Sequence, residues 1–311
     1  MTEPIIGVDI SKDRLDAHRL PDGTVRQFPN TRSGRRAFLA WAGHDVNRIV
    51  YEPTGPYHRA FEAACRDADL PLCKINPLQA RRFAEAIGTR AKTDQVDAVL
   101  LARMGLTLDL DPTPVAGKAL RELKELRQVH QALIQERTRL RNRLKTLTVA
   151  LVKQFHMQRL KRIELEINEV IDAIMARIES DPVMAQRFAI LTSIPGLGTI
   201  ATMTLIIEMP ELGNLEAKQA ASLAGLAPMI RQSGQWNGKA RIIGGRKHLR
   251  DALFMPALVA CHHNLDMAAK YQALTAAGKP AKVAITAVMR KLIVLANALV
   301  KADRKWQPKP A

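Results

Sequence analysis

Apolar residues in the first hundred positions occur in short runs and then in amphipathic stretches, a pattern that predicts strands followed by alternating helices and strands. A buried strand is predicted over 5–9, and the turn at 21–23 joins a second strand over 15–20 to a third over 24–28. The following stretches predict a helix capped by Ser33, a strand over 48–51, a helix over 57–68, a short strand over 70–75 and a helix begun at Pro77. The segment therefore reads as an α/β domain in which three antiparallel strands come first.

Four carboxylates stand where these elements end or begin. Asp9 ends the first strand and Glu52 follows the fourth. Asp94 and Asp97 lie at the start of a predicted amphipathic helix, and their spacing of three residues places them on the same face of it. Like charges 4 Å apart repel by roughly 4 kcal/mol at an effective dielectric near 20, so such a set needs a counter-charge. Mg²⁺ fits, because it prefers carboxylate oxygen. The element order and the acids together predict a ribonuclease H-like nuclease core, although a helix cap or a surface charge explains any one acid taken alone.

From about residue 108 the apolar spacing changes to sevens, which predicts a coiled coil. Two rows carry it: Leu126, Leu133, Leu140 and Leu147 on one, and Leu123, His130, Arg137, Leu144 and Leu151 on the other. His130 and Arg137 either fix register or partner, or mark a place where the seam frays. An isoleucine-rich second helix over 163–178 either folds back on the first or continues the seam, and Asp181-Pro182 ends it.

The chain is strongly basic, with a formal net charge of +17 and a pI near 10.2. Residues 118–162 carry 13 basic and 3 acidic side chains, a surplus that fits contact with a nucleic acid backbone better than a solvated helix face. The candidate contacts in this region are Arg139, Arg141, Arg143 and Lys145.

No apolar leader follows Met1, and the apolar stretch over 283–300 is interrupted by Arg290 and Lys291. The sequence therefore predicts a soluble protein that is not associated with a membrane. Its three cysteines have no metal-ligand or disulfide spacing, which suits a reducing compartment.

The C-terminal third opens with a Pro-Gly-Leu-Gly hairpin over 195–198 and a helix of small residues. This pattern is typical of a helix-hairpin-helix element, in which Gly196 and Gly198 would let backbone N–H groups reach a phosphate. An ordinary turn between two helices is the alternative.

Ser233 is a lone hydroxyl in a glycine-rich loop. A Ser-Gly pair in a loop is usually a turn, but the nearby cations could hold a scissile phosphate and stabilise its developing charge. These cations are Arg231, Lys239, Arg241 and Arg246.

Six motifs occur in one order: Asp9, Glu-Pro-Thr-Gly from Glu52, Lys-Thr-Asp-x-x-Asp from Lys92, the Ile-Pro-Gly-Leu-Gly hairpin, Ala-Gly-Leu-x-Pro from Ala224, and Ser-Gly at Ser233. In this order they resemble the DEDD insertion-sequence transposases of the IS110 family over nearly the whole chain. The resemblance implies a RuvC-like DEDD domain over 1–108, a basic coiled coil over 109–185 and a mostly α-helical transposase domain over 186–311. It also implies a homo-oligomer, dimer or tetramer, formed through the coiled coil, and a place in the bacterial cytoplasm at the nucleoid.

Mapped residue by residue, the resemblance gives Asp9, Glu52, Asp94 and Asp97 the Mg²⁺-binding roles and makes Ser233 a nucleophile that forms a covalent phosphoserine with DNA. It implies that a structured bridge RNA recognises donor and target DNA. A serine hydroxyl needs a base or a metal nearby to act as a nucleophile. Because the coiled coil separates Ser233 from the acids in sequence, Ser233 of one subunit could act together with the acids of another. Two alternatives remain: a RuvC-like junction endonuclease that uses metal-activated water, and a non-catalytic nucleic-acid-binding protein.

Overall fold

The structure is a computed structural model that describes residues 4–88, 94–108, 110–113, 117–230, 232–234, 236–238 and 240–308. For four of these, Asp94, Gln95, Trp236 and Asn237, it describes the backbone alone. The chain divides into two compact units, Met1–Ala116 and Gly117–Ala311. The coiled coil lies in the same unit as the later helices, and the division into three domains stays a prediction.

The first unit is built on one mixed sheet of five strands. These are β1 (Ile5–Ile10), β2 (Arg14–Leu20), β3 (Val25–Pro29), β4 (Arg48–Tyr51) and β5 (Leu72–Lys74), in the order β3-β2-β1-β4-β5. The first three pair antiparallel, whereas β4 pairs parallel with β1 and with β5. This topology is compatible with the predicted ribonuclease H-like core.

Helices cover both faces of the sheet. They are α1 (Arg32–Ala42), α2 (His58–Asp67), α3 (Pro77–Ala86) and α4 (Asp94–Thr107). Phe38 of α1 and Phe61 of α2 pack on the face of Ile6 and Val8. The opposite face is packed by α3 and α4, with Leu101 and Met104 of α4 against Ile5 and Val50. The two faces of β1 are thus buried in two separate cores, as expected for a central strand.

The cap of α1 differs from the prediction. Thr31, not Ser33, is the N-cap, and its side chain accepts a hydrogen bond from Gly34 N. Arg32 and Ser33 already belong to the first turn. Thr31 and Ser33 both carry a hydroxyl that suits an N-cap. The chain turns tightly after Pro29, since a Cβ on Gly34 would be 1.9 Å from Pro29 O, and this turn makes Thr31 the cap.

The second unit begins with a helical hairpin of α5 (Lys118–Leu144) and α6 (Ala150–Ser180). The second helix folds back on the first, and Leu140 packs against Ile163 and Ile167. The seam does not continue through Leu147 and Leu151, because α5 ends at Leu144 and Leu151 is 57% exposed. The run Thr146-Leu147-Thr148-Val149 is rich in β-branched residues, which have lower helix propensity, and the chain turns there.

The other helices of this unit form a bundle around one core. They are α7 (Pro182–Thr192), α8 (Thr199–Glu208), α9 (Ala217–Leu223), α10 (Lys247–His263), α11 (Leu265–Ala276) and α12 (Ala281–Lys301). By length and composition α12 could cross a membrane, but half of its apolar window is buried within the protein. Packing against α9, α10 and α11 explains its apolar character as that of a core helix.

Candidate active site

Asp9 and Glu52 lie side by side at one edge of the first unit's sheet. The parallel register of β1 and β4 pairs Gly7 with Val50 and Val8 with Tyr51, so Asp9 and Glu52 occupy the next position on each chain. Side chains alternate along a strand, which places Asp9 on the face of Gly7 and Glu52 on the face of Val50. Because that is the face covered by α4, both acids belong to the α4 side of the sheet.

The direction of α4 brings its first turn to the same edge. A Cβ atom on Gly7 would be 2.1 Å from Ala98 O and 2.4 Å from Ala102 N, so the helix backbone lies directly on β1. Further along α4, a Cβ on Gly105 would be 2.9 Å from Ile5 Cγ2. The helix therefore runs opposite to β1, and its first turn, with Asp94 and Asp97, lies toward Asp9.

The residues suit a divalent cation by their chemistry, since carboxylate oxygens are the ligands that hard cations prefer. Within the described residues, however, no group of three or more His, Cys, Asp or Glu side chains is arranged to hold a metal ion. The side chain of Asp94 lies outside what the structure describes, and so do Lys92 and Thr93 of the predicted motif. The backbone thus brings Asp9, Glu52 and the first turn of α4 to the same edge of the sheet. The side chains of Asp9, Glu52 and Asp97 are not arranged to hold a metal ion.

A fifth carboxylate, which the sequence pattern did not single out, lies opposite Asp9. Asp16 of β2 is the register partner of Asp9, and directly opposed residues of antiparallel strands share a face. Asp16 is buried and accepts hydrogen bonds from Arg14 Nε (3.1 Å) and Gln27 Nε2 (2.7 Å). The signal was available, because Asp16 stands at the polar position between the buried Leu15 and Ala17 in a predicted strand.

Next to Glu52, on the α2 side, a polar network ties the ends of β4 and β5 to α2. Lys74 Nζ donates to Glu62 Oε1 at 2.8 Å, and the Tyr51 hydroxyl donates to the same oxygen. Burial raises the pKa of Glu62, but the hydrogen bonds from Lys74 and Tyr51 outweigh it and leave the pKa below its usual value. Burial together with nearby Lys74 lowers the pKa of His58. This network fixes the chain on both sides of the Glu-Pro-Thr-Gly turn.

In the second unit, Ser233 sits at the tip of a small hairpin. The strands β6 (Pro228–Met229) and β9 (Arg241–Ile242) pair at its base, and β7 (Gln232–Ser233) pairs with β8 (Trp236–Asn237) at its end. Ser233 is opposite Trp236, and the two residues between them include Gly234 with φ of 56°, as a two-residue hairpin turn requires. Ser233 is exposed, and a Cβ on Gly234 would meet nothing within 4 Å. Within the part of the hairpin that the structure describes, the Ser233 side chain is therefore exposed to solvent.

The cations predicted around Ser233 have different surroundings. Arg241 is exposed on β9, whereas Arg231 and Lys239 lie outside the described residues. Arg246 is bound by the protein itself: its Nη1 and Nη2 donate to the two carboxylate oxygens of Glu211 at 2.8 and 2.7 Å. Arg246 was expected from the sequence to contact nucleic acid, and no local signal there pointed to Glu211.

The predicted hairpin over 195–198 is present between α7 and α8, but its two glycines differ. Gly196, with φ of 106°, packs on α10, because a Cβ there would be 2.8 Å from Pro256 O. Gly198 is exposed at the N-terminus of α8, with nothing within 4 Å of a Cβ. Only the second glycine of the pair therefore has open space in front of it.

The four basic residues predicted to contact nucleic acid on the coiled coil, Arg139, Arg141, Arg143 and Lys145, are all exposed at the end of α5. Arg141 also bridges to Glu164 of α6, with Nη2 2.6 Å from Oε1. His130, in contrast, is buried beside Arg127, whose Nη1 donates to His130 Nδ1 at 2.9 Å. His130, a polar residue of the predicted seam, thus makes its contact within the second unit.

Comparison with known proteins bears on both units. Residues 6–155 match the transposase family described as DEDD_Tnp_IS110, and residues 188–272 match the transposase IS116/IS110/IS902 family. Pilin gene-inverting proteins from Moraxella bovis and Moraxella lacunata are each 30% identical, over 98% of this chain and 98% of theirs. The insertion element IS110 uncharacterized 43.6 kDa protein of Streptomyces coelicolor is 26% identical over 95% of this chain and 93% of its own.

These matches cover the strands and helix that carry the acids as well as the region of the serine hairpin. A DEDD domain implies dependence on a divalent metal in general, and the transposase family implies DNA as the substrate. The chain belongs to the IS110 family of DEDD transposases, and its activity is that of a DNA transposase or recombinase.

Proposed function

We propose that this transposase breaks and rejoins DNA through a covalent phosphoserine formed by Ser233, with Asp9, Glu52, Asp94 and Asp97 holding Mg²⁺. The observation that carries the proposal is the close contact of α4 with β1 at Gly7. It directs the first turn of α4 toward Asp9, so that acids far apart in sequence share one edge of the sheet.

The acids and the serine have separate tasks. Bound Mg²⁺ would neutralise the acids and polarise a DNA phosphodiester, as divalent ions do in phosphoryl-transfer sites. The four carboxylates would hold the ion from strand ends and a helix start, which are rigid parts of the fold. Ser233 presents its hydroxyl at the tip of an exposed hairpin, where a phosphodiester can approach. The covalent bond conserves the energy of the broken phosphodiester, so the strands can be rejoined without ATP.

The basic surfaces of the second unit are proposed to bind DNA and a structured bridge RNA that pairs with donor and target. The residues we assign to these contacts are Arg139, Arg141, Arg143, Lys145, Gly198, Arg231, Lys239 and Arg241. Neutralising backbone phosphates with exposed cations releases counterions and favours binding. We further propose that the protein acts as a homo-oligomer, dimer or tetramer, in the bacterial cytoplasm at the nucleoid.

Trapping of a protein-DNA adduct tests the proposal. The wild-type protein, incubated with its bridge RNA, donor and target DNA and Mg²⁺, should give an adduct on a denaturing gel that maps to Ser233. Ser233→Ala should lose both the adduct and strand exchange but keep binding, because it removes one hydroxyl and no charge. Ser233→Cys should give at most a weak adduct, since a thiolate is a softer nucleophile.

Ser222 is the matched control, because it is an exposed serine at the end of α9 in the same unit. Ser193 is less suitable, since its hydroxyl donates to Ile190 O and accepts from Trp306 N. Full recombination by Ser233→Ala, or an adduct on another residue, would refute the nucleophile assignment. Metal-dependent cutting without an adduct would favour the junction endonuclease that uses water.

A further inference from the structure

Two glycines close the base of the serine hairpin, which we define as residues 226–244. A Cβ atom on Gly245 would be 2.2 Å from both Gly225 Cα and Gly225 N, and φ is 67° at Gly225 and 70° at Gly245. Only glycine fits such a backbone-to-backbone contact. A hydrogen bond from Arg246 N to Leu223 O (2.8 Å) joins the same two stems. The hairpin therefore leaves the helical bundle through one narrow base.

Arg246 fixes this base to α8 and to the segment that follows it. Besides its two bonds to Glu211, its Nη1 donates to Glu208 O at 2.6 Å, at the C-terminus of α8. The paired bonds to a carboxylate hold the guanidinium plane, and a cation is favourable at a helix C-terminus. Burial raises the pKa of Glu211, but the bonds from Arg246 outweigh it and leave the pKa below its usual value. Both groups are therefore charged at neutral pH.

Arg250 lies one turn further along α10 and binds both stems. Its Nη1 donates to Gly244 O at 3.0 Å and lies 3.4 Å from Gly225 O. A Cβ atom on Gly225 would be 2.4 Å from the same Nη1, so the guanidinium occupies the space beside the glycine contact. One acceptor is the carbonyl of the last hairpin residue, Gly244, and the other is that of Gly225, which precedes the hairpin.

Beyond its base, the described part of the hairpin has few contacts that could hold it in place. Each of its four strands has two residues, and an isolated two-stranded hairpin is at best marginally stable in water. Leu226, at the base, is buried in the core of the bundle, whereas Met229, Ile230 and Ile243 are 54%, 63% and 49% exposed and contribute little packing. The position of its tip must then be set mainly by the base.

We propose that Arg246 and Arg250 are positioning residues that hold the base of the serine hairpin, and that Glu211 completes this anchor. The anchor orients the Ser233 hydroxyl before DNA binds, and neither arginine contacts a phosphate. This inference rests on the proposed nucleophile role of Ser233. It separates these two arginines from Arg241, which has the same charge and an exposed position on β9.

The anchor is tested with Arg246→Gln, Arg246→Lys, Glu211→Gln and the double variant Arg246→Gln/Glu211→Gln, with Arg241→Gln as the matched control. Three quantities are measured on the full-length protein: hydrogen exchange of residues 226–244, the single-turnover rate of adduct formation at saturating DNA, and the salt dependence of DNA binding. Arg246→Lys keeps the charge but cannot make the paired bonds, so it reports on the geometry alone.

We expect faster exchange in the hairpin and slower adduct formation, by about 10- to 100-fold, for both Arg246→Gln and Glu211→Gln, since small misplacements of a reacting group have effects of this size. The double variant should be no slower than the worse single variant, because all three variants remove the same interaction. The salt slope should stay at the wild-type value in these variants, whereas Arg241→Gln should reduce it by about 0.9.

A smaller salt slope for Arg246→Gln with a wild-type adduct rate for Glu211→Gln would overturn the anchor and make Arg246 a phosphate contact. Unchanged hairpin exchange in Arg246→Lys and Glu211→Gln would also overturn it. If the wild-type protein forms no adduct at Ser233, yet exchange still rises in both variants, the anchor stands and the nucleophile assignment fails.

Discussion

Gly7 of β1 and Ala98 of α4 are in backbone contact: a Cβ atom on Gly7 would be 2.1 Å from Ala98 O. Gly7→Ala should therefore push α4 away from the strand and separate its first turn from Asp9. We expect a loss of about 1–3 kcal/mol in the free energy of unfolding, the range for overpacking, measured by denaturant titration. Metal-dependent DNA cleavage should fall as well, because the first turn of α4, with Asp94 and Asp97, would move away from Asp9 and Glu52.

The matched control is Gly117→Ala. Gly117 precedes α5 with φ of −59°, and a Cβ there would meet nothing within 4 Å. Because Gly117 is the N-cap of α5, alanine there should cost at most about 1 kcal/mol through a weaker cap, and metal-dependent cleavage should stay at the wild-type level. Equal effects of the two substitutions would contradict the role of the close contact at Gly7.

Each of the four acids should be required for DNA breakage. Asp9→Ala, Glu52→Ala, Asp94→Ala and Asp97→Ala should each abolish cleavage, measured with labelled donor DNA, because a metal ion held by few carboxylates loses ligands and charge compensation together. In metal-free buffer these variants should melt at or above the wild-type temperature, since removing one like charge relieves repulsion. Glu85→Ala, an exposed acid of α3, is the control and should cleave normally.

Wild-type recombination by two or more of the four variants would show that these carboxylates do not form the metal site. A lower melting temperature in all four, with metal absent, would instead indicate that they stabilise the fold through other contacts.

The exposed end of α5 should contribute to the salt dependence of nucleic acid binding. Replacing Arg139, Arg141, Arg143 and Lys145 with glutamine should reduce the slope of log K against log salt by about 0.9 for each duplex phosphate that is no longer neutralised. Arg141 should contribute least, because it also pairs with Glu164. Filter binding or fluorescence anisotropy between low and moderate salt measures the slope.

A control set is Arg159, Arg162 and Arg177, which form ion pairs with Glu136, Glu166 and Glu122. Their replacement by glutamine should change the slope less per residue. The same slope in wild type and in the α5 variant would mean that this end of the coiled coil is a solvated surface.

His130 should make stability depend on pH in a defined window. Burial, with Arg127 and Arg137 nearby, lowers its pKa from 6.5 to about 4. Between these values the unfolded chain binds more protons, so stability rises with pH, is fully present above about 6.5 and is lost as pH falls toward 4. The loss should approach about 3 kcal/mol, from 1.36 kcal/mol per pKa unit.

Urea unfolding of the wild type and of His130→Gln at several pH values measures this contribution. Glutamine does not titrate, so the difference between the two proteins should shrink as pH falls through the window. Parallel pH profiles would show that His130 is not the group responsible.

Much of the first unit could be predicted because its signals are local. The alternation around Leu15 and Ala17 and the Pro21-Asp22-Gly23 turn are properties of neighbouring residues, and the strands there are confirmed. Helix α3 begins at Pro77, as predicted. The end of α5 at Leu144 was not predicted. The leucines spaced seven apart indicated a helix that continues through Leu147 and Leu151, and this spacing takes no account of the β-branched residues between them, which have lower helix propensity.

The acids and the serine of the candidate site could be predicted from the sequence, but the contacts that hold them in place could not. Asp9 and Glu52 stand out as charges after apolar runs, and Ser233 stands out as a lone hydroxyl in a glycine-rich loop. The pairing of Arg246 with Glu211 joins positions 35 apart in sequence, and nothing in either neighbourhood specifies the partner. Gly196 was predicted to let backbone N–H groups reach a phosphate, and this stays a prediction. Its position against Pro256 of α10 could not be predicted, because it depends on packing between distant helices.

The length of α5 sets a scale for contact with DNA. Its 27 residues at 1.5 Å each span about 40 Å, slightly more than one turn of duplex DNA. Leu123, near its start, is buried in the core shared with α8 and α10, while Arg139 to Arg143 lie at its far end. Under the proposed contact with DNA, charges about 24–30 Å along the helix from Leu123 would touch the duplex somewhat less than one helical turn from the core end of α5, so the length of flanking DNA, and not only its sequence, should affect binding.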